Sequence, residues 1–353
     1  MRQADRLPTP SQPRRPPVRR ASPTEPHRLL GFDPPPGGAD PELDAVSNAV
    51  QSADPKGEMF AGVLRETYDQ LYDGQRTGRY SWEQLRKTEK TYMGTLVEIN
   101  LHRAFKFADG VKMDYLIDGV DTDCKFSQKL GGWEIPPEAY EGKHVCLVVW
   151  ASDEESRWEA GVIRVTDDSW LLGPENRDRK RKLTPAGEST IRWLYSRPTL
   201  PENLLLHIPL LLREKIFNPD PSSPRRPSGQ RKINMLFRLV QGRLVNRASV
   251  LTVAQQKDSL KRPRDARKAK HLGKEGILVL GHQEHDPLVA QSLGLQRPPK
   301  GSFISVRVIE AQDGYSSKTA EIAGACYRVA TDSDPIRPAP RLPRRTGETS
   351  EDE

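Results

Sequence analysis

The chain has 353 residues, of which 35% are hydrophobic and 29% charged, with a net charge of +7. That length holds two ordinary domains with tails, and the positive balance suits a polyanionic partner as readily as a bland soluble role. No apolar run approaches the roughly 20 residues of a membrane span, and the basic start MRQADRLPTPSQPRRPPVRR lacks the apolar stretch of a signal peptide, so a cytoplasmic protein is expected. Cys124, Cys146 and Cys326 are far apart with no C-x-x-C spacing, which argues against structural zinc and for a reducing compartment.

Residues 1–39 are rich in Pro, Arg and Ser and cannot bury enough apolar surface to fold, so a disordered basic arm is expected there. The first block spans 40–195. Asp40 to Ser52 and Gly57 to Tyr72 read as helices, the second with Met59, Phe60, Val63, Leu64, Tyr68, Leu71 and Tyr72 at helical spacing. The pattern Ser81-Trp82-Glu83-Gln84 fits a capping box that starts a new helix, and Thr95 to Phe105 reads as another. The period then changes to two in VKMDYLI, VDTDCKF, HVCLVVWA and WEAGVIRV. The third of these is almost wholly apolar, as in the middle of a sheet, and Thr184 to Leu194 closes the block as a helix.

The second helix ends in DQLYDGQR, Asp69 to Arg76. Asp73, Gly74 and Arg76 match the K-x-D-G-x-R loop of DNA ligases and capping enzymes, but the lysine position holds Leu71. Leucine cannot attack phosphorus, so ligase-type covalent catalysis is unavailable. Leu71 is predicted to be core, and Asp73-Gly74 a helix stop. A ligase- or topoisomerase-related protein whose nucleophile has been replaced stays open as an alternative.

The chemistry concentrates in MDYLIDGVDTDCKF, Met113 to Phe126. Asp118-Gly119 is a two-residue hairpin signal, and that turn sets Asp114 directly opposite Asp123, with Lys125 on the same face. Two facing carboxylates repel in a bare sheet. A divalent cation removes the penalty, and hard oxygen ligands suit Mg2+, which polarises a scissile phosphate and lowers the pKa of an attacking water. Lys125 can orient that water or stabilise charge on the phosphoryl oxygens. Cys124 points to the core, while its backbone carbonyl can join the metal ligands. Glu98, in the apolar helix GTLVEINLHRAF, needs a partner or a metal. The competing readings are an acidic hairpin with a surface ion pair and an exposed helix-face glutamate. The whole set fits the D…(D/E)-x-K nuclease arrangement.

A Pro-marked linker, 196–208, leads to a second block at 209–331. Helices are predicted at Pro209 to Phe217 and along Ile233, Leu236, Phe237, Val240 and Leu244, with a short one near Pro287 to Leu293. Strand-like runs follow at RASVLTVA, GILVLGH and SFISVRVI. The run KDSLKRPRDARKAKHLGK carries Lys257, Lys261, Arg262, Arg264, Arg267, Lys268, Lys270 and Lys274 against two aspartates. Such density neutralises several phosphates, although a solvated charge run looks the same in sequence. Pro263 argues for a loop flanked by a short helix, and Gln255 and Gln256 are candidates for reading base edges, with the groove they face left open. The block is expected to be a winged-helix or helix-turn-helix α+β DNA reader, and residues 332–353 a disordered tail.

The stretch GVLRETYDQLYDGQRTGRYSWEQLRKTEKTYMGTLVEINLHRAF, the hairpin VDTDCKF, and the later NLLLHIP and TVAQQ resemble the restriction endonuclease NaeI family, from about Gly57 to the end of the second block. The resemblance implies an α/β, restriction-endonuclease-like mixed-sheet domain followed by a helix-turn-helix domain of the catabolite-activator type, in a homodimer in a bacterial cytoplasm. It implies that Glu98, Asp114, Asp123 and Lys125 are metal-binding and catalytic, that Mg2+ is the cofactor, and that double-stranded DNA is bound as both substrate and effector copies. A GCCGGC site and a companion DNA methyltransferase are implied as well. The arginine-rich N-terminus and the loop Pro219 to Ser228 are additions to the family pattern. The expected function is type II restriction cleavage. A non-catalytic DNA-binding regulator is the competing reading, and it leaves the Glu98, Asp114, Asp123 and Lys125 group without a purpose.

Overall fold

The computed structural model describes residues 40–173, 177–223, 226–311 and 318–342. The expected basic arm and residues 343–353 lie outside them. The described residues from Asp40 onward pack as one unit.

Helix α1 (Pro41–Ala53) starts at Asp40, whose side chain accepts the Leu43 N–H at 3.0 Å, with Pro41 in the first turn. Helix α2 (Glu58–Tyr72) buries Phe60, Val63, Leu64, Tyr68, Leu71 and Tyr72, and stops where Asp73 turns left-handed at φ 48. A single turn, α3 (Gly74–Thr77), follows. The Ser81 capping box is present, but it opens only a 3-10 turn, Trp82–Gln84. The main helix is α4 (Lys87–Phe105), one 19-residue element in which the expected Thr95–Phe105 helix is the second half.

Short strands β1 (Ala108–Asp109) and β2 (Tyr115–Ile117) lead to β3 (Val120–Ser127), and β4 (Glu134–Ile135) and α5 (Pro137–Glu141) lead to β5 (Val145–Ser152) and β6 (Arg157–Arg164). After β7 (Arg181–Lys182) and α6 (Pro185–Glu188) comes β8 (Arg192–Tyr195). The six-stranded sheet runs β1-β2-β3-β5-β6-β8, antiparallel except for the parallel β3/β5 pair, while β4 and β7 form a separate ribbon. All eight residues of β5 are buried, as the apolar run predicts. One face of the sheet packs on α1, α2 and α4. The other carries Trp133, Ile135, Val148, Trp150 and Ile163.

The predicted Thr184–Leu194 helix is corrected. Thr184 caps one turn through the Gly187 N–H, and a Cβ on Gly187 would lie 2.5 Å from the Trp170 carbonyl, so the chain takes a tight corner there. The aromatic residues beyond it pair with β6 as an edge strand, where Tyr195 packs on Phe60 and Trp158.

The C-terminal part contains α7 (Leu204–His207), α8 (Leu210–Phe217), α9 (Gly229–Leu239), β9 (Leu244–Val245), α10 (Arg247–Ala254), α11 (Arg262–Ala266), β10 (Ile277–Leu280), α12 (Asp286–Ser292), β11 (Phe303–Glu310), β12 (Thr319–Ile322) and β13 (Ala325–Val329). Strand β11 pairs antiparallel with β9, β10 and β13. The run RASVLTVA, expected as a strand, is helix α10. Asn246 accepts the Ser249 N–H at 2.8 Å, and Val250, Val253 and Ala254 bury at i, i+3 and i+4. The segment expected as tail from Asp332 packs back as far as 342: Arg328 grips Asp334 twice at 2.7 Å, and Ala339 donates to the Gly273 carbonyl. Among the described residues, no helix is long and apolar enough to cross a membrane.

One buried carboxylate ties these parts together. Asp153, at the end of β5 and 1% exposed, accepts from Arg65, from Tyr72 Oη at 2.8 Å and from Asn203 Nδ2 at 2.8 Å, and Asn203 also donates to the Tyr80 carbonyl. Asp153→Ala leaves the buried guanidinium of Arg65 underpaired and is expected to cost about 3 kcal/mol. Urea unfolding checks this, and a loss below about 1 kcal/mol would show that the hub is dispensable.

Candidate active site

The β2–β3 turn places Asp118 at φ 48 and Gly119 at φ 77, the double positive φ that a two-residue hairpin favours. The ladder pairs Tyr115 with Thr122, Leu116 with Asp121 and Ile117 with Val120. The next step brings Asp114 to Asp123, as the sequence predicts. Asp121, Asp123 and Lys125 alternate along one face of β3, while the Cys124 side chain is buried on the other.

Asp114 Oδ2 accepts the Cys124 N–H at 2.7 Å. Lys125 Nζ lies 2.7 Å from Asp123 Oδ1, 2.9 Å from the Cys124 carbonyl and 3.6 Å from Asp114 Oδ2. Oxygens of three of the four groups expected to hold a metal, those of Asp114, Asp123 and Cys124, thus converge on the Lys125 ammonium. Helix α4 brings half-buried Glu98 to the edge of this group, and Tyr115 Oη fastens helix to hairpin by donating to the Glu98 carbonyl at 2.7 Å.

Burial pushes the Asp123 carboxyl up to about 6; Asp114 beside it adds to the shift and Lys125 opposes it. Glu98 is raised as well, by burial first and then by Asp114, again against Lys125. Lys125 shows the reverse balance: burial lowers its pKa, but Asp123 and Asp114 outweigh that and hold the ammonium charged.

Among the described residues, no three His, Cys, Asp or Glu side chains form a ready metal cluster. The donor chemistry nevertheless fits magnesium. Asp123 Oδ2 is buried without a hydrogen-bond partner, and Asp114 and the Cys124 carbonyl supply further hard oxygens beside it.

The chain matches the restriction endonuclease NaeI family over residues 44–338. It is also 51% identical over 311 residues to the type II restriction enzyme NaeI of Lentzea aerocolonigenes, covering 88% of this chain and 96% of that protein. The chain belongs to the NaeI restriction endonuclease family. As a family member it is an enzyme, a type II site-specific deoxyribonuclease.

The ligase-like segment of this NaeI-family chain is a packing corner. Leu71 is buried in the core, as expected. Asp73 caps α2 and pairs with Arg76 at 2.6 Å, leaving Arg76 mostly in solvent. Gly74 meets α10 so closely that a Cβ would lie 1.9 Å from Thr252 Oγ1, and Gln75 Nε2 donates to the Gln256 carbonyl at 2.8 Å.

The basic run divides in two. Arg262 pairs with Asp258 and Asp265, Arg267 with Asp286, and Lys268 with Asp265, all three cations largely enclosed. These pairs tie the segment together, so each of the three cations already has a carboxylate partner within the fold. Lys257, Lys261, Arg264, Lys270 and Lys274 remain exposed. Pro263 sits in the first turn of the short α11, as its restriction predicts. Gln255 accepts from Lys232 at 2.8 Å, and Gln256 donates to Asp258 at 2.5 Å. Sequence reasoning missed Tyr115 and Asp121 as parts of the site, although the same-face alternation Asp121-Asp123-Lys125 was there to be read.

The raised carboxyl of Asp123 gives a pH signature. Its folded pKa lies above the unfolded value of about 3.9, so its contribution to stability is complete below about pH 4 and is lost as pH rises through about 6. In EDTA the wild type is therefore expected to lose stability relative to Asp123→Asn over that window. Parallel thermal melts test this, and a pH-independent difference between the two proteins would refute it.

Proposed function

We propose that this chain is a magnesium-dependent endonuclease that hydrolyses both strands of a short palindrome, with Glu98, Asp114, Asp123 and Lys125 as its catalytic group. The observation that carries the reading is the convergence of Asp114, Asp123 and the Cys124 carbonyl on one cation, beside a buried and unbonded Asp123 oxygen. Asp114, Asp123 and the Cys124 carbonyl would hold the metal, with Glu98 at its edge. Bound there, magnesium polarises the scissile phosphate and lowers the pKa of the attacking water. Lys125, kept charged by its two carboxylates, faces the charge that grows on the phosphoryl oxygens. Glu98 carries a raised pKa and sits where it can accept a proton from water or orient it.

The division proposed is an endonuclease domain at 40–195 and a DNA-reading domain at 209–331. The order α9, β9, α10, α11, β10 and then β11, after a connection that holds α12, with β9 and β10 both on β11, supports a winged-helix reading of the second. Two cuts need two sites, hence a homodimer. The family resemblance supports GCCGGC as the target, a second DNA copy at the C-terminal domain as activator, and a methyltransferase that protects the host genome. Cytoplasmic action follows from that role.

With magnesium, the wild type is expected to cut plasmid DNA into discrete fragments, and Asp123→Ala to lose activity on the order of a thousandfold. Mapping the fragment ends gives the recognition site, and a variant cutting within tenfold of wild type would overturn the assignment. In filter-binding titrations against salt, Lys257→Ala, Lys261→Ala and Arg264→Ala are each expected to make the salt slope shallower by about 1. Arg262→Ala is expected instead to lower the melting temperature. Unchanged slopes in all three exposed variants would remove this face from the DNA interface.

A further inference from the structure

The loop Gly110–Met113 joins β1 to β2 and leads directly into Asp114. Its three successive N–H groups aim at one carboxylate: Val111 and Met113 donate to Asp121 Oδ1 at 2.9 and 3.3 Å, and Lys112 donates to Asp121 Oδ2 at 2.9 Å. Gly110 closes the turn, since a Cβ there would lie 2.1 Å from the Met113 carbonyl and 2.7 Å from Asp121 Oδ1. Apolar burial does not hold this loop. Val111 is 82% exposed and Lys112 is exposed, while Met113 reaches only the margin of the core.

We propose that Asp121 is a positioning residue of the nuclease, which fixes the approach to Asp114 by clamping three consecutive backbone N–H groups. The inference rests on reading Asp114 and Asp123 as the cation-binding pair. Asp121 stands two residues before Asp123 on the same face of β3, so it adds a third carboxylate to a face already crowded with negative charge. Only a carboxylate offers two acceptor oxygens to three donors; an asparagine would turn its NH2 against at least one backbone N–H. The clamp fixes where the loop ends, and there Asp114 takes the Cys124 N–H and faces Asp123. Freed from it, Asp114 would have to be ordered at the moment a cation binds.

The test uses the full chain with Asp121→Asn, Gly110→Ala and Asp123→Ala. Calcium binding is measured by calorimetry without DNA, alongside the magnesium concentration for half-maximal plasmid cleavage, the melting temperature, and DNA binding in EDTA. Asp121→Asn and Gly110→Ala are both expected to weaken calcium binding and raise the magnesium requirement by roughly 10- to 100-fold, with DNA binding in EDTA unchanged. Gly110→Ala disturbs the loop but keeps the carboxylate. A shift in Asp121→Asn alone would show that the residue acts through its charge, and would overturn positioning. Wild-type calcium binding in both variants, with or without a lower melting temperature, would overturn it too. If Asp123→Ala binds calcium and cleaves like wild type, the reading of the site itself fails, and this result is distinct from the others.

Discussion

The two-residue turn at Asp118-Gly119 is the constraint on which the site depends. Both residues take positive φ, and this conformation leaves the hairpin one pairing register. A slip of one residue would turn Asp121, Asp123 and Lys125 into the core and send Val120, Thr122 and Cys124 outward. The buried partners of those last three residues make that slip prohibitive, so the acidic face is held in place by the apolar face beneath it. Strand β5 completes the arrangement. It runs parallel to β3 and is buried along its whole length, giving the charged strand a rigid neighbour.

Helix α2 extends this order beyond the hairpin, to the ends of β3 and β5. Tyr68 Oη reaches Gln128 at 2.8 Å, just beyond β3, and the Ala151 carbonyl at 2.9 Å on β5. Arg65 and Tyr72 grip Asp153, which also holds Asn203 ahead of α7. Where α2 stops, the Asp73–Gly78 turn presses on α10. The fragment that looks like a ligase loop is thus explained by geometry: a leucine that fills the core, an aspartate that ends a helix, and a glycine with no room for a side chain.

Much of this was legible in the sequence. The Asp-Gly turn gave the register and the facing carboxylates, and the apolar run gave the central strand. Helix α10 was misread because RASVLTVA suits alternation as well as helical spacing; only the Asn246 cap separates the two, and its partner is a backbone N–H that no pattern shows. At Thr184–Leu194 the deciding fact is the approach of the Trp170 carbonyl to Gly187, a contact between segments. The internal pairing of the basic run is hidden for a similar reason. Asp286, which neutralises Arg267, stands 19 residues away in another helix. The alternation along β3 puts Asp121 on the same face as Asp123, but what it holds, the backbone N–H groups of a loop, carries no sequence signature.

On the proposed function, the same electrostatics that make the site hard to build also make it conditional. A phosphodiester is an anion, and the face it must approach carries Asp114, Asp121 and Asp123, with Glu98 at the edge. Lys125 alone cannot balance that charge, and burial, with the neighbouring carboxylates adding to it, raises the carboxyls of Asp123 and Glu98. A divalent cation would bring the missing charge to where the oxygens converge, so seating the scissile phosphate in the site and cleaving it would depend on the same ion. The exposed cations Lys257, Lys261 and Arg264 lie elsewhere in the sequence, on the C-terminal part, and under the same proposal they would attract DNA without neutralising the site. Affinity and reactivity are thereby assigned to separate surfaces, and only the second of them requires the metal.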